Sequence, residues 1–338
     1  MDNYNILKPL SKDHFDKRLV ELETLLREYL DAEEREGRKL QWCKIFLSDA
    51  QNQHTQFVES ELYQEILSEA ASTIVEQAPA DGSKIALLVK TSTEPAPYIF
   101  QSMRLTEGET RGTSSYLQTM MLFEKYMRWL KEHNLRLDTH CVRTWIYVND
   151  IDNNYAGAVK ARNDIFSQHG LTIDTHFIAS TGIGGASHIQ SAQVAIDFLT
   201  YPNIKESDKT YLKALDHLNP THEYGVAFER GTKLSLSDKT IFYISGTASI
   251  DRHGHVIYLR DISRQTKRLL ENIGALLKDG GATMHDIQYF IVYLRDTSDY
   301  EQVETYMQQN YPDIPHVIVH GKVCRPEWLV EMECIAQQ

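Results

Sequence analysis

The sequence contains no hydrophobic run long enough to cross a membrane. Its longest apolar stretches, such as 85–89 and 241–244, are far shorter than the roughly 20 residues that a spanning helix requires. The N-terminal residues are polar from the second position onward, unlike a secretory signal. Its 4 cysteines are scattered without a CxxC pair, which favours reduced thiols over a disulfide framework. We therefore expect a cytoplasmic protein that makes no membrane contact.

The sequence also lacks basic clusters and metal-binding motifs. Asp and Glu number 47 against 35 Lys and Arg, so the formal net charge is −12 and nucleic acid should be repelled. The 14 histidines include no HExxH pattern. His316 and His320 form one HxxxH pair, but the β-branched residues between them predict a strand. On a strand the two histidines would lie roughly 13 Å apart. We expect no nucleic-acid partner, no metal and no cofactor.

An internal repeat organises most of the chain. Residues 176–198 align with 316–338, and residues 117–131 align with 264–278. Each copy has the pattern of strands, an amphipathic helix, a β-branched strand, a second helix and closing strands, which predicts an α+β layer with two helices on one sheet face. The first seventy-odd residues lie outside this repeat and include an amphipathic helix at 15–37.

These observations predict three segments. They are an N-terminal extension at 1–76, a first repeat unit at 77–208 and a second repeat unit at 209–338. The glycine-rich stretch 180–187 follows a predicted strand, but Ser187 replaces the third glycine of a dinucleotide fingerprint. A tight turn with close backbone approach is the better interpretation.

The closing strand of the second copy carries two carboxylates. Alternation along a strand puts Glu331 and Glu333 on the same face, opposite the apolar one. Like charges that close cannot both ionise easily, so one pKa should rise and yield a general acid beside an ionised partner. A solvated strand face would accept both carboxylates equally well. The repeat alignment places Ser191 and Gln193 at these positions in the first copy, which therefore lacks this chemistry.

Three arginines could bind an anionic substrate in this acidic chain. Arg162 shares a helix face with Tyr155, Arg295 ends a strand of the second copy, and Arg230 lies just before that copy. Each alone has the pattern of an ordinary surface arginine. Together they could hold carboxylates through charge-assisted pairs.

The second copy resembles the Rid family of enamine and imine deaminases. The matching motifs are YISGTA at 243–248, VYLRD at 292–296 and VEMECIA at 330–336. Rid deaminases carry a catalytic arginine two residues after the proline at Pro315, where this chain has Val317, which argues against deamination.

The whole chain resembles the chorismatase family. The matching motifs are Tyr155 with Arg162, the glycine-rich stretch 180–185, SGTAS at 245–249 and the segment 323–331. This resemblance implies an α+β fold of two fused Rid-like α/β sandwich units, with the N-terminal unit degenerate and extended. It also implies cleavage of the enolpyruvyl ether of chorismate, without a cofactor, into pyruvate and a cyclic acid.

The same resemblance assigns roles to individual residues. Glu331 would protonate the enolpyruvyl methylene carbon, with Glu333 as its partner, and Cys324 occupies the position that marks the 3-hydroxybenzoate-forming members. The expected substrate-binding and pocket residues are Arg162, Tyr155, Tyr224, Arg230, Arg295, Gly246, Ala248 and Glu333. Two alternatives stay open, a hydrolytic chorismatase that gives a dihydroxycyclohexadiene carboxylate and a non-catalytic small-molecule-binding protein. A fused two-copy chain would expose different interfaces from those of a Rid trimer, so we expect a monomer.

Overall fold

Three β-sheets follow one another along the chain. The computed structural model describes residues 1–338 apart from the side chain of Tyr224. The first unit consists of β1 (Asp2–Leu7), α1 (Phe15–Arg35), β2 (Lys39–Leu47), α2 (Ala50–Val58), a π-helix (Leu62–Leu67), β3 (Ala71–Glu76) and β4 (Ile85–Ser92). Its strands lie in the order β1-β4-β2-β3, with β2 and β3 parallel and the other pairs antiparallel.

The second and third units repeat this strand order. The second consists of β5 (Ile99–Met103), α3 (Glu107–Thr110), α4 (Ser115–Glu132), α5 (Leu137–His140), β6 (Cys141–Val148), α6 (Ile151–Gln168), β7 (Ala179–Gly184) and β8 (Val194–Thr200). The third consists of β9 (Lys209–Leu212), β10 (Gly231–Ser235), β11 (Thr240–Ala248), α7 (Ile262–Asp279), β12 (Ile287–Leu294), α8 (Tyr300–Asn310), β13 (His316–His320) and β14 (Val330–Gln337). Their sheet orders are β5-β8-β6-β7 and β13-β12-β14-β11-β10-β9.

Helix α7 shows how the sequence produces these layers. Leu269, Ile273 and Leu276 recur at helical spacing and are fully buried, so they anchor one face of the helix to its sheet. The Asp261 side chain accepts a hydrogen bond from the backbone N–H of Arg264, which satisfies a free donor at the helix start. The predicted α+β fold, with helices layered on sheets, is confirmed.

The N-terminal extension contains a sheet of the same topology. The predicted limit at residue 76 falls between β3 and β4, and the sheet itself ends at Ser92. Within the extension, the amphipathic segment 15–37 corresponds to α1. Sequence comparison missed this third occurrence because the units share strand order and apolar alternation but few identical residues.

Strand pairing corrects the repeat alignment. Tyr293 of β12 faces Glu331 of β14, and Tyr147 at the matching place of β6 faces Ala195 of β8. Ala195 therefore occupies the position equivalent to Glu331, and Asp197 occupies the position equivalent to Glu333. The prediction of Ser191 and Gln193 was wrong by four residues. A shift of four leaves the two-residue alternation unchanged, so the hydrophobic pattern could not reveal the error.

The sheets meet at three junctions. Between the first and second units, the His54 and His188 rings stack with centroids 3.7 Å apart, and Arg104 donates a hydrogen bond of 2.8 Å to Thr73 Oγ1. Between the first and third units, Pro79 forms a β-bridge with Val319. The second and third units share the functional site described below. No helix among the described residues is long and apolar enough to span a membrane.

Candidate active site

A cavity of about 240 Å³ lies between the second and third units. The second unit contributes α6 and β7, and the third unit contributes β11, β14 and the segments 226–230 and 324–328. Its wall is formed by Tyr155, Arg162, Ser180, Gly182, Val226, Phe228, Arg230, Gly246, Ala248, Ile250, Cys324, Arg325, Trp328 and Glu331. Seven of the residues predicted from the sequence are therefore brought together, namely Tyr155, Arg162, Arg230, Gly246, Ala248, Cys324 and Glu331.

Glu331 is the acidic residue of this cavity. It is only 5 % exposed, and burial raises the pKa of its carboxyl to about 8, with a further contribution from the charge of Glu333. The positive charges of Arg230 and Arg143 oppose this increase but do not cancel it. A carboxyl group in this environment is protonated at neutral pH and can act as a general acid.

Gly246 leaves the space that the Glu331 carboxyl occupies. The pairing of β11 with β14 is irregular between Ile244 and Thr247, which places Gly246 in a bulge beside the cavity. A Cβ atom at position 246 would overlap Glu331 Oε1. The Gly246 backbone N–H donates a hydrogen bond of 2.9 Å to Thr181 Oγ1 of the second unit, which fixes the bulge in place.

Glu333 lies behind the cavity and does not line it. Its Oε2 accepts a hydrogen bond of 2.9 Å from Arg143 Nη2 and a second from the Thr181 hydroxyl, and its Oε1 accepts one of 2.7 Å from Trp145 Nε1. Both carboxylate oxygens are thus bound by donors of the second unit. Glu333 was predicted among the substrate-contacting residues, but the structure uses it as an inter-unit anchor because its neighbours bury it completely.

Three guanidinium groups surround the cavity. Arg162 and Arg230 both approach the Phe228 ring, with their Cζ atoms 5.9 and 5.5 Å from its centroid. Arg230 also donates hydrogen bonds of 3.1 and 3.2 Å to the backbone and side-chain oxygens of Asn219. Arg325 lies 4.7 Å from the Trp328 centroid. These cations give the cavity a positive lining within an acidic chain, which suits an anionic ligand.

Cys324 and Tyr155 form an apolar part of the wall. The Tyr155 hydroxyl lies beside the thiol, and burial together with the nearby Glu331 raises the pKa of Cys324 to about 12. Cys324 is therefore a neutral thiol. Tyr155 packs over Gly182, where an added Cβ atom would come within 3.1 Å of its ring. The glycine-rich stretch is a strand rather than the predicted turn, although the predicted close approach occurs at this glycine.

Two further predictions have different outcomes. Arg295 does not line the cavity; it binds the Val323 carbonyl oxygen at 2.7 Å and the Asp152 carboxylate at 2.6 Å. Tyr224 lies outside the described residues as far as its side chain is concerned. Sequence reasoning gave no role to Phe228, Arg325, Trp328 or to the partners of Glu333. A sequence signal for Arg325 does exist, since this residue lies within the segment 323–331 that carries the family resemblance.

Comparison with known proteins agrees with the α+β architecture. Residues 231–338 match the family model described as Endoribonuclease L-PSP. A RutC family protein of Pyrococcus abyssi is 33 % identical over 96 residues, which cover 28 % of this chain and 76 % of that protein. The chain therefore belongs to the RutC family through its third unit.

A solved structure extends the likeness to the entire chain. A chorismatase crystal structure superimposes with a TM-score of 0.70 and 18 % sequence identity, covering 99 % of this chain and 98 % of that one. The structure of RidA from Psychrobacter sp. PAMC 21119 covers 38 % of this chain and 98 % of its own, with 21 % identity and a TM-score of 0.31. The protein thus combines a RutC family unit with the whole-chain fold of a chorismatase.

Proposed function

We propose that this protein is a chorismatase that splits chorismate into pyruvate and 3-hydroxybenzoate without a cofactor. The observation that carries the proposal is Glu331, a buried carboxyl whose pKa is raised to about 8 inside a cavity lined by arginines. The whole-chain similarity to a chorismatase structure supports the same substrate class. Chorismate carries two carboxylates, so three guanidinium groups in one cavity provide the required positive charge.

The first chemical step is a proton transfer to carbon. Glu331 donates its proton to the methylene carbon of the enolpyruvyl group, and the adjacent ether oxygen stabilises the resulting cation as an oxocarbenium ion. Because the donor must be protonated at neutral pH, an ordinary exposed glutamate would be mostly inactive, whereas buried Glu331 retains its proton. Arg230 and Arg143 then stabilise the carboxylate that remains.

The second step determines the product. In the proposed route, the oxygen of the hydroxyl group on the neighbouring ring carbon bonds to the ring carbon that carries the ether. The bond from that carbon to the ether oxygen breaks and releases pyruvate, and the hydroxyl proton restores Glu331. The bond between this oxygen and its original ring carbon then breaks, the other ring carbon loses its hydrogen as a proton, and protonation of the oxygen gives 3-hydroxybenzoate. No water is consumed, since the two products together contain the atoms of chorismate. Attack by water would instead give the dihydroxycyclohexadiene carboxylate and pyruvate.

Cys324 supports the route without water. Its neutral thiol and the Tyr155 side chain lie side by side in the wall and fill space that an attacking water molecule would need. The resemblance to benzoate-forming chorismatases rests on the same cysteine. The proposal therefore favours 3-hydroxybenzoate over the diol acid.

Incubation with chorismate tests the proposal directly. Pyruvate should be released together with 3-hydroxybenzoate, which chromatography separates from the diol acid. In D₂O the pyruvate methyl group should acquire one deuterium, because the transferred proton comes from an exchangeable carboxyl. Absence of pyruvate, with chorismate binding still detected by calorimetry, would instead indicate a small-molecule-binding protein. Pyruvate accompanied only by the diol acid would assign the hydrolytic subtype.

A further inference from the structure

Two adjoining parts of the cavity wall belong to different units. Tyr155 and Arg162 project from α6 of the second unit, whereas Cys324 and Arg325 belong to a loop of the third unit. The contact between these two parts, at Tyr155 and Cys324, limits the space around the reacting group. Interactions that join α6 directly to this loop therefore hold these two parts of the wall together.

One network of ion pairs makes this connection. Arg295, which follows β12, donates from Nη2 to both oxygens of Asp152 at 2.6 and 2.8 Å. Lys322 Nζ lies 3.2 Å from Asp152 Oδ2. Arg295 Nη1 also donates to the carbonyl oxygen of Val323 at 2.7 Å. Its guanidinium thus binds the loop backbone and the helix side chain simultaneously.

The position of this network relates it to the cavity. Asp152 lies in the first turn of α6, three residues before Tyr155, and Val323 directly precedes Cys324. The hydrogen bond from Arg295 keeps the pKa of Asp152 below its usual value, so the pair remains charged over the physiological pH range. Restraint of Asp152 and Val323 therefore restrains both sides of the contact between Tyr155 and Cys324.

The equivalent residue of the second unit makes no such connection. Asn149 follows β6 as Arg295 follows β12, and the two backbone N–H groups donate to Gln193 and Leu329 at the start of the corresponding closing strands. The Asn149 side chain reaches only Ala192 of its own unit, at 3.4 Å. The longer arginine side chain reaches across the junction that contains the cavity.

We propose that Arg295, Asp152 and Lys322 are positioning residues that hold the Tyr155 and Cys324 walls together and thereby keep water from the reacting substrate. The charged groups of this ion-pair bridge make no hydrogen bond or ion pair with the described residues that line the cavity. The bridge therefore acts only through the loop and the helix that it restrains. Its effect on product choice rests on the proposed function, but its effect on the accessibility of Cys324 does not.

Thiol labelling measures the restraint independently of catalysis. Cys43, Cys141 and Cys334 are buried, whereas Cys324 is the partly exposed cysteine, so a disulfide reagent added to the folded protein reports mainly on Cys324. Arg295→Gln and Asp152→Asn should each increase the labelling rate about fivefold, the factor expected from loss of a favourable ion pair. The labelling rate of the double variant should be only slightly higher than that of the faster single variant, because both changes break the same bridge. Arg295→Lys should restore part of the wild-type rate.

The controls separate this proposal from a general weakening of the fold. Lys160→Gln removes another ion pair of α6, that of Lys160 with Asp164 at 2.6 Å, and should leave labelling unchanged. Cys324→Ala gives the background rate. With chorismate, Arg295→Gln and Asp152→Asn should release pyruvate but yield more diol acid than wild type. Unchanged labelling in both variants overturns the bridge, and an unchanged product ratio overturns its role in product choice. A wild type that releases no pyruvate overturns only the proposed function.

Discussion

Arg143 of β6 and Glu333 of β14 form a buried ion pair, with Arg143 Nη2 2.9 Å from Glu333 Oε2. Each side chain is only 2 % exposed. The pair distinguishes two glutamates that lie two residues apart on the same strand face. Glu333 Oε2 accepts from the cationic Arg143 and its Oε1 from the neutral Trp145 indole, whereas Glu331 faces the cavity and retains its proton. The two carboxyl groups therefore have different chemistry because different elements pack against them.

Glu331→Gln should keep the fold and slow pyruvate release by at least roughly 100-fold, the usual contribution of a general acid. Glutamine has nearly the same size but cannot donate an acidic proton to carbon. A coupled pyruvate assay on both proteins gives the comparison, and circular dichroism checks the fold. Turnover close to that of wild type would show that another group is the acid.

Glu333→Gln is the matched change two residues away. It leaves the Arg143 guanidinium buried without its counter-charge, so we expect a loss of about 3 kcal/mol in the free energy of unfolding and a smaller loss of turnover. Urea unfolding measures the first quantity. Equal catalytic losses in the two variants would leave the identity of the acid unassigned.

The pH dependence should follow the ionisation of Glu331. Because its pKa is about 8, kcat/KM should fall roughly tenfold per pH unit above that value. The same carboxyl contributes stability that is complete below its ordinary pKa of 4.5 and is lost as the pH rises through about 8. The stability difference between wild type and Glu331→Gln should therefore shift in favour of the variant as the pH rises. A difference that is independent of pH would contradict the raised pKa.

Gly246→Ala should abolish most of the activity, because the added methyl group would occupy the position of Glu331 Oε1. The carboxyl must then rotate away from its place in the cavity. Gly274→Ala is a suitable control, since its new Cβ atom would meet only Met284, at 3.5 Å from the sulfur, and alanine favours the interior of α7. Turnover measured on both variants tests this prediction, and an active Gly246→Ala protein would contradict it.

Arg162→Ala should weaken chorismate binding about 30-fold, which corresponds to about 2 kcal/mol for a lost charge-assisted hydrogen bond. Arg162 is buried in the cavity wall, where its guanidinium approaches Phe228. Calorimetry with chorismate measures the affinity. Arg136→Ala removes an exposed arginine of the ion pair with Asp138 and should bind as wild type does. An unchanged affinity of Arg162→Ala would remove this residue from the binding site.

Cys324→Ala should shift the product from 3-hydroxybenzoate towards the diol acid while pyruvate release continues. The smaller side chain opens space between Tyr155 and Glu331 that a water molecule can enter. Chromatography of the reaction mixtures gives the product ratio. The same ratio in variant and wild type would make Cys324 a packing residue of the wall.

Local sequence patterns predicted much of the third unit and less of the rest. Alternation along a strand placed Glu331 and Glu333 on one face, and helical spacing placed Tyr155 with Arg162. Nothing local distinguishes Arg230, which lines the cavity, from Arg295, which binds Asp152, because the partner lies in another unit. The different roles of Glu333, which is paired with Arg143, and of Glu331, which keeps its proton, likewise depend on contacts with residues that are far away in the sequence.

The three junctions between sheets have a consequence for how this chain can change. In a symmetric oligomer every substitution is repeated at every interface. Here the three units lie on one chain, so Glu331 stands at one site while Ala195 takes the corresponding place in the second unit. At the other two junctions, the His54–His188 stack joins the first unit to the second, and the Pro79–Val319 bridge joins the first unit to the third. A mutation at either of these junctions changes how tightly the units hold together and is not copied to the site of Glu331. The packing between units and the chemistry of the site can therefore change independently.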